Sequence, residues 1–395
     1  MDSEDYRLPT FLIIPMIQLL VAVFLVISLL NDHRELTVLT LVVLFIMFGT
    51  KIWSRLSPAG IRHTTALDKQ RGFPGEAFVF FTRIRNAKIL PVLAQLSLSF
   101  SKYFQTVDDP TALEKNCSLL WYQEVQFRVR LKALHRGVYR LGDGELRVGD
   151  LFGFYSKKAG RTAAIDVIVY PRLVPLKPIV LPRRDFFDIP GAKSPIEDPV
   201  YVYGTREYQI GRPARYIHWK ASARLNSLQE KLCEPAAQAK VLLIVGVDDF
   251  AKNQARAEFE KILEVAASAA VNFDRAGMAV GLVTNGKLEG GGSPVLQIGR
   301  GDRQIPKILE TLARLQMTRS ADLGDILRRG LKLPWGTTGV SLTYDSAESC
   351  QEVLAYFNHR RAPVVSIVSR AEPAPAGDRK IGAAKVMALE DICRN

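Results

Sequence analysis

One stretch of the chain concentrates side chains that could hold a charged partner or take part in catalysis. Residues 204–224 read GTREYQIGRPARYIHWKASAR. Basic, aromatic and imidazole groups fill it, together with one carboxylate, and the candidate partner-binding residues are Arg206, Glu207, Tyr208, Arg215, His218, Trp219, Lys220 and Arg224. Aromatic side chains and exposed cations are typical of surfaces that bind an acidic partner. The segment therefore predicts an interaction site.

Local spacing predicts how this segment folds. Gly211 and Pro213 favour a turn, since glycine tolerates positive φ and proline fixes φ near −65°. Pro213 also suits the first turn of a helix, so a short helix is predicted over residues 214–224. On that helix Lys220 and Arg224 would lie one turn apart, which gives it a cationic side.

His218 also permits a catalytic interpretation. Glu207 would orient the imidazole, and Ser222 or Cys233 would be the nucleophile. The chain contains no Gly-x-Ser-x-Gly motif, however. A histidine hydrogen-bonded at a domain junction is the simpler interpretation, and a hydrolase centred on His218 remains the alternative.

The segment resembles the signature of the domain-of-unknown-function-58 family. The matching residues are Arg206, Glu207, Tyr208, Gly211, Arg215, Ile217, Trp219, Lys220, Ala223 and Arg224. The runs 135–142 and 149–153 resemble the family's upstream half. One position departs: the family has an aspartate where this chain has Arg212, which removes a candidate helix N-cap and places a cation near the positive end of the helix dipole.

The resemblance implies a bacterial membrane-anchored protein with a von Willebrand factor A-like C-terminal domain. It also implies association with a MoxR-type AAA+ ATPase, in the assembly or maturation of envelope or metal-containing complexes.

Two apolar runs near the N-terminus predict membrane helices. Residues 11–30 and 36–53 are almost continuously apolar, and roughly 20 such residues cross the hydrocarbon core. The chain opens with acidic residues, unlike a cleavable signal peptide. Basic residues are sparse in the turn 31–35 and frequent after the second run, so the positive-inside rule places both termini and the main domains in the cytoplasm. We predict a two-pass inner-membrane hairpin over residues 1–56.

Composition restricts the classes of partner. The net charge of +13 admits an anionic bilayer, nucleic acid or an acidic protein. No nucleic-acid-binding signature accompanies the basic residues, so nucleic acid is not predicted. The cysteines are scattered without a Cys-x-x-Cys pair, which disfavours a disulfide framework or a zinc site. We predict no cofactor.

Periodicity divides the rest of the chain into domains. Alternating apolar and polar residues, as in Val125 to Lys132, predict a small all-β sandwich over residues 72–175. A proline-rich connector follows over 176–203, and the signature segment occupies 204–235. Apolar strands separated by amphipathic helices predict an α/β domain with a mainly parallel sheet over 240–370, before a C-terminal tail at 371–395.

Two further patterns in the α/β domain could bind a ligand. Asp248, Asp249 and Asp345 follow strands, where open α/β sheets bind ligands, but the family fold's Asp-x-Ser-x-Ser motif is missing. They are weak candidates, and we predict no metal. The run 281–288 resembles a phosphate loop but has Leu288 where Ser or Thr is needed, so Asn285-Gly286 predicts a tight turn instead.

Together these observations predict a non-enzymatic, membrane-anchored scaffold or adaptor on the cytoplasmic face. A cation-dependent adhesion module is a second alternative beside the hydrolase.

Overall fold

A computed structural model gives the fold. It describes residues 10–31, 33–100, 102–106, 114–151, 156–179, 181, 197–209, 213–235, 239–331, 333–334, 336–345, 348–360, 362–369, 380–381 and 384–393. The chain divides into two compact units, Met1–Tyr170 and Pro171–Asn395.

Two apolar helices open the first unit, α1 (Thr10–Leu30) and α2 (Arg34–Leu56). Ser28 Oγ donates to the carbonyl of His33 at 3.0 Å and lies 2.9 Å from Thr37 Oγ1 across the turn between the helices. Among the described residues, α2 is long and apolar enough to cross a membrane, whereas the apolar stretch Met16–Leu30 is shorter. The two-span hairpin therefore stays a prediction.

Eleven strands follow among the described residues of the first unit. They are β1 (Ile61–Leu67), β2 (Arg71–Gly72), β3 (Ala77–Asn86), β4 (Val92–Ser99), β5 (Phe104–Thr106), β6 (Glu114–Leu119), β7 (Glu124–Ala133), β8 (Gly137–Leu141), β9 (Asp143–Gly149), β10 (Ser156–Arg161) and β11 (Ile165–Val169). They form two four-stranded sheets, in the orders β1-β3-β7-β5 and β10-β9-β4-β6, and a three-stranded sheet β2-β11-β8.

The two four-stranded sheets enclose one hydrophobic core, as the predicted β-sandwich requires. Phe78, Phe80 and Leu131 from one sheet share a buried cluster with Leu96 and Leu146 from the other. Along β7 the alternation is confirmed, because its apolar side chains face inward and Arg128, Arg130 and Lys132 are exposed. The sheets begin at Ile61, earlier than residue 72.

The second unit mixes helices and strands. They are β12 (Glu197–Glu207), α3 (Trp219–Leu225), β13 (Gln229–Pro235), β14 (Lys240–Val245), α4 (Asp248–Lys252), α5 (Arg256–Arg275), β15 (Ala279–Thr284), β16 (Gly286–Leu288), β17 (Val295–Gly299), α6 (Gln304–Arg314), β18 (Leu315–Arg319), α7 (Leu323–Gly330), β19 (Thr337–Thr343), α8 (Glu348–His359), β20 (Val364–Val368), β21 (Lys380–Ile381), β22 (Ala384–Ala388) and α9 (Leu389–Ile392).

A seven-stranded sheet organises this unit, in the order β17-β15-β14-β19-β20-β22-β21. The five inner strands are parallel, and the two edge strands run antiparallel to their neighbours. Side chains of α7 and α8 pack with Leu242 and Ile244 of β14, and α5 contacts β14, β15 and β19. The inner strands β15 and β20 are buried throughout, which explains their near-continuous apolar sequences.

Three parts of the second unit differ from expectation. The sheet extends into residues 371–395, because β22 pairs with β20. The predicted connector 176–203 lies partly outside the described residues, but Leu176 bridges to Cys393 and β12 begins within it. Asn285-Gly286 is not a hairpin turn, since β16 pairs with β18 rather than with β15.

Candidate functional site

The signature segment is an antiparallel hairpin with a helical loop. Arg206 and Glu207 of β12 stand opposite Glu230 and Gln229 of β13. The loop between the strands contains a 3-10 turn, Ala214–Tyr216, and helix α3. The N–H of His218 donates to the carbonyl of Gln229 at 2.7 Å, which ties the start of α3 to β13.

The helix predicted over residues 214–224 is interrupted, so that prediction is wrong in its extent. Ile217 is extended, with φ −67° and ψ 128°, and only 7% exposed. Its backbone bridges to Glu230 of β13. Long-range pairing and burial at this residue therefore replace the continuing helical turn. Gly211 and Arg212, including the position of the family aspartate, lie outside the described residues.

Arg206 forms an ion pair with a buried carboxylate inside the hairpin. Its Nε donates to Oε1 of Glu230, and the Glu230 side chain is fully buried. A buried carboxylate requires a charged or hydrogen-bonding partner, because its desolvation is costly. Arg206 therefore neutralises Glu230 and is not available to bind a partner. Of its neighbours, Glu207 is exposed, and Tyr208 is half-buried with its N–H donating to the carbonyl of Leu228 at 2.8 Å.

His218 is the N-cap of α3. Its Nδ1 accepts a hydrogen bond from the N–H of Ala221 at 3.1 Å. Ser222 Oγ donates to the backbone carbonyl of His218 at 3.1 Å and accepts from the N–H of Gln229 at 2.8 Å. The hydrogen bonds of Ser222 thus go to backbone groups, and Nδ1 of His218 is occupied by the cap. The side chain of Cys233, the other candidate nucleophile, lies outside the described residues.

An exposed apolar and cationic surface covers the loop of the hairpin. Trp219, Leu225 and Leu228 are 68%, 61% and 50% exposed. We define the basic-aromatic surface as these three residues and the exposed cations Arg215, Lys220 and Arg224. Trp219 therefore contributes little to the packing of this segment. Backbone and side-chain hydrogen bonds of His218 and Ser222 fix α3 on β13 without it.

A polar cluster lies where the strands β14 and β15 end. Asn285 Nδ2 donates to Oδ2 of Asp248 at 2.6 Å, and the buried Asn285 accepts from the N–H of Val247 at 2.9 Å. Arg319 places Nε 3.4 Å from Oδ1 of Asp248 and one Nη 2.9 Å from Oδ2 of Asp322. A guanidinium thus bridges two carboxylates at the ligand-binding edge of the sheet.

The pKa of a further carboxyl near this cluster, Glu352, is raised. Burial raises the pKa of Glu352, the carboxylates of Asp322 and Asp248 raise it further, and Arg319 opposes them. The other weak metal candidates lie differently: Asp249 faces Lys252 Nζ at 3.9 Å, and the carbonyl of Asp345 accepts from Thr343 Oγ1. Within the described ranges, no three His, Cys, Asp or Glu side chains form a group that could hold a metal ion.

The structure thus defines a protein with N-terminal apolar helices, a β-sandwich-like unit and a unit built on a mainly parallel sheet. Residues 204–331 match the family described as "Protein of unknown function DUF58". The family resemblance predicted from the signature segment is confirmed over these residues. No match was found among curated proteins.

Solved structures resemble the chain only over parts of it. The cupredoxin domain of amoB from Nitrosocaldus yellowstonii is 12% identical, with 29% of this chain and 89% of that chain covered and a TM-score of 0.21. A FixG-related protein from Vibrio parahaemolyticus is 8% identical, with coverages of 28% and 96% and a TM-score of 0.20. A non-cellulosomal cohesin from Archaeoglobus fulgidus is 11% identical, with coverages of 27% and 91% and a TM-score of 0.20.

Sequence reasoning did not find the partners of Asp248. Asn285 was interpreted as a turn residue, and Arg319 and Asp322 were not singled out. The available signal was weak: Asn285 directly follows an apolar strand, as Asp248 nearly does. Which side chains meet at that edge depends on the strand order, and a local sequence pattern does not specify the strand order.

Proposed function

We propose that this protein is a non-enzymatic, membrane-anchored scaffold or adaptor whose basic-aromatic surface binds an acidic partner protein. The observation that carries the proposal is the exposure of Trp219 and Leu225 at the two ends of α3 and of Leu228 just after it. Exposed apolar side chains and exposed cations in one short segment fit an interface in which tryptophan enters a partner pocket and charge selects the partner.

Family resemblance supports the choice of partner. The match to the DUF58 model over residues 204–331 favours a MoxR-type AAA+ ATPase, acting in complex assembly or maturation. The second unit, with helices packed on a mainly parallel sheet, supports a von Willebrand factor A-like architecture. In that architecture Arg319 stands among the strand-end carboxylates, so the surface on α3 is the better candidate for partner binding.

Anchoring is proposed through α1 and α2 as a two-pass hairpin. The length and composition of α2 support one span. The exposed Lys51 and Arg55 near its end support a cytoplasmic position for everything beyond residue 56, by the positive-inside rule.

Affinity capture of a MoxR-type ATPase by the full-length protein tests the proposal. In detergent extracts, wild-type protein is expected to retain the ATPase, and Trp219→Ala is expected to weaken binding by about 2 kcal/mol or more if Trp219 is a hot spot. Charge reversal at Arg215, Lys220 and Arg224 to Glu is expected to abolish capture.

The exposed stripe on β7 provides a matched control. Arg128, Arg130 and Lys132 changed to Glu alter the net charge equally but lie outside the basic-aromatic surface. This variant is expected to retain the ATPase. Equal capture by all variants, or equal loss with both triple substitutions, would overturn the assignment of the surface.

A further inference from the structure

The end of α2 is hydrogen-bonded to the turn between β3 and β4. Trp53 Nε1 donates to the carbonyl of Pro91 at 2.8 Å. Lys88 Nζ donates to the carbonyls of Leu56 at 2.7 Å and Ala59 at 2.6 Å, and also to that of Ser57. Helix C-termini leave carbonyls without intrahelical partners, and a lysine satisfies them here. The β3–β4 turn is therefore held at the end of the helix.

A second turn of the same unit is attached to the first. The N–H of Tyr122 donates to the carbonyl of Lys88 at 3.2 Å. Asn86 Nδ2 donates to the carbonyls of Leu90 and Leu120, each at 2.9 Å. The β3–β4 and β6–β7 turns thus form one edge of the β unit, next to the last turn of α2.

That edge exposes large apolar side chains. Ile89 is 71% exposed, Leu120 46%, Trp121 61% and Tyr122 59%. Isolated exposed apolar residues are ordinary, but four on two joined turns form a patch of the kind that marks an interaction site. Ile52 and Leu56, near the end of α2, are also exposed.

We propose that Ile89, Leu120, Trp121 and Tyr122 form a membrane-interface collar, inserted among the lipid headgroups where α2 leaves the bilayer. The inference rests on α2 crossing the membrane. Tryptophan and tyrosine favour the headgroup level, because their rings are apolar and carry a polar group. The exposed cations Lys51 and Arg55 place anionic headgroups beside the last turns of α2, which the collar adjoins.

The collar constrains the first unit as well as binding lipid. A single helix followed by a flexible link would leave the β unit free to tumble. Here Trp53 and Lys88 fix the helix end to the β3–β4 turn, and the collar adds a second attachment to the bilayer. We therefore expect β3 and β7 to keep one orientation relative to the membrane.

Depth-dependent fluorescence quenching tests the collar. Full-length wild-type protein and Trp121→Phe are incorporated into nanodiscs whose lipids carry bromine near the glycerol end of the acyl chains. The difference between the two emission spectra isolates Trp121 with one conservative substitution. Most of that difference emission is expected to disappear in brominated nanodiscs, and aqueous acrylamide is expected to quench it weakly.

Leu134→Trp supplies the matched control. Leu134 follows the far end of β7, and a strand advances about 3.4 Å per residue, so the control lies roughly 30 Å from Trp121. The added emission is expected to be quenched by acrylamide and unaffected by bromine. Acrylamide quenching of Trp121 equal to that of the control, without bromine quenching, would overturn the collar.

The remaining outcomes separate this inference from the proposals on which it rests. Protein that fails to co-purify with the nanodiscs contradicts anchoring by α2. Incorporated protein whose Trp121 is shielded from acrylamide but insensitive to bromine contradicts the collar, and points to a protein contact such as a second copy of this chain.

Discussion

Three arginines of the second unit have different surroundings, and these decide what each charge can do. Arg206 neutralises the buried Glu230, Arg319 bridges two carboxylates, and Arg215 is exposed over the ring of Tyr216 at 5.1 Å. In the sequence, Arg206 and Arg215 belong to one basic segment. Of these two arginines, Arg215 remains available to a partner.

The position of Arg319 predicts cation binding in a variant. Arg319→Ser removes the guanidinium between Asp248 and Asp322 and leaves hard oxygen ligands, which Mg²⁺ and Mn²⁺ prefer. Calorimetry is expected to show no binding heat with wild type and weak binding with Arg319→Ser. Arg329→Ser, at an exposed position on α7, is the control and is expected to behave as wild type. Equal binding by wild type and Arg319→Ser would contradict this assignment.

His63 predicts an acid-sensitive first unit. Its Nε2 lies 2.7 Å from Thr82 Oγ1, and burial lowers the pKa of His63 from 6.5. Because the folded-state pKa is below the unfolded value, the unfolded chain binds the proton first as pH falls. The free energy of unfolding contributed by this group is therefore full above pH 6.5 and is lost as pH falls toward the folded pKa.

Hydrogen exchange of β1 and β3 between pH 7.5 and pH 5 measures this effect. His63→Gln, which cannot ionise, is expected to lose less stability on acidification than wild type. His359→Gln, at an exposed site in the other unit, serves as the control. An identical acid loss in wild type and His63→Gln would assign the sensitivity elsewhere.

At the scale of elements, α3 is too short to be stable by itself. Isolated helices of fewer than about 12 residues are marginal in water, so α3 depends on its cap and on β13. His218 supplies the cap, and Ser222 joins the helix to Gln229. The basic-aromatic surface is therefore displayed by a helix that tertiary contacts hold in place.

Removing the cap should loosen α3. His218→Ala is expected to destabilise the helix by about 0.5–2 kcal/mol, and His218→Asn by less, because asparagine caps well. Exchange of the Ala221 amide proton measures the change. His218→Asn is also expected to retain partner capture, which separates a capping role from a catalytic one: hydrolase activity abolished by His218→Asn at unchanged stability would restore the catalytic interpretation.

At the scale of the whole molecule, the chain consists of two units with separate cores, and the apolar helices open the first unit. The first core lies within the β-sandwich-like unit, and the second lies between the seven-stranded sheet and the helices α7 and α8. The two proposals thus place partner binding in the second unit and lipid attachment in the first. We expect substitutions at the collar to leave ATPase capture in detergent unchanged.

The predicted topology can be checked from both sides of the membrane. In a cysteine-free background, His33→Cys lies in the turn between α1 and α2 and is expected to react with an impermeant maleimide added to intact spheroplasts. A cysteine at the exposed Lys102 of the β unit is expected to react only in inverted vesicles. The reverse pattern would contradict the cytoplasmic orientation, and reaction of both from one side would contradict the two-pass hairpin.

The sequence by itself determined the features that local periodicity records. Three such features are the alternation along β7, the apolar strand Val364–Val368 and the long apolar helices. In each, the repeat of apolar residues indicates which faces of the element are exposed to solvent and which are not. The spacing of residues 204–224 likewise predicted the resemblance to the family that residues 204–331 match.

Only the tertiary structure decided which side chains meet. Glu230 forms an ion pair with Arg206, pairing with β13 interrupts the helix at Ile217, and Arg319 forms an ion pair with Asp248. Each pairing joins residues far apart in the chain, so it depends on strand order and register. Local sequence fixes which face of an element is buried, and long-range pairing fixes the neighbours that a charged group finds there.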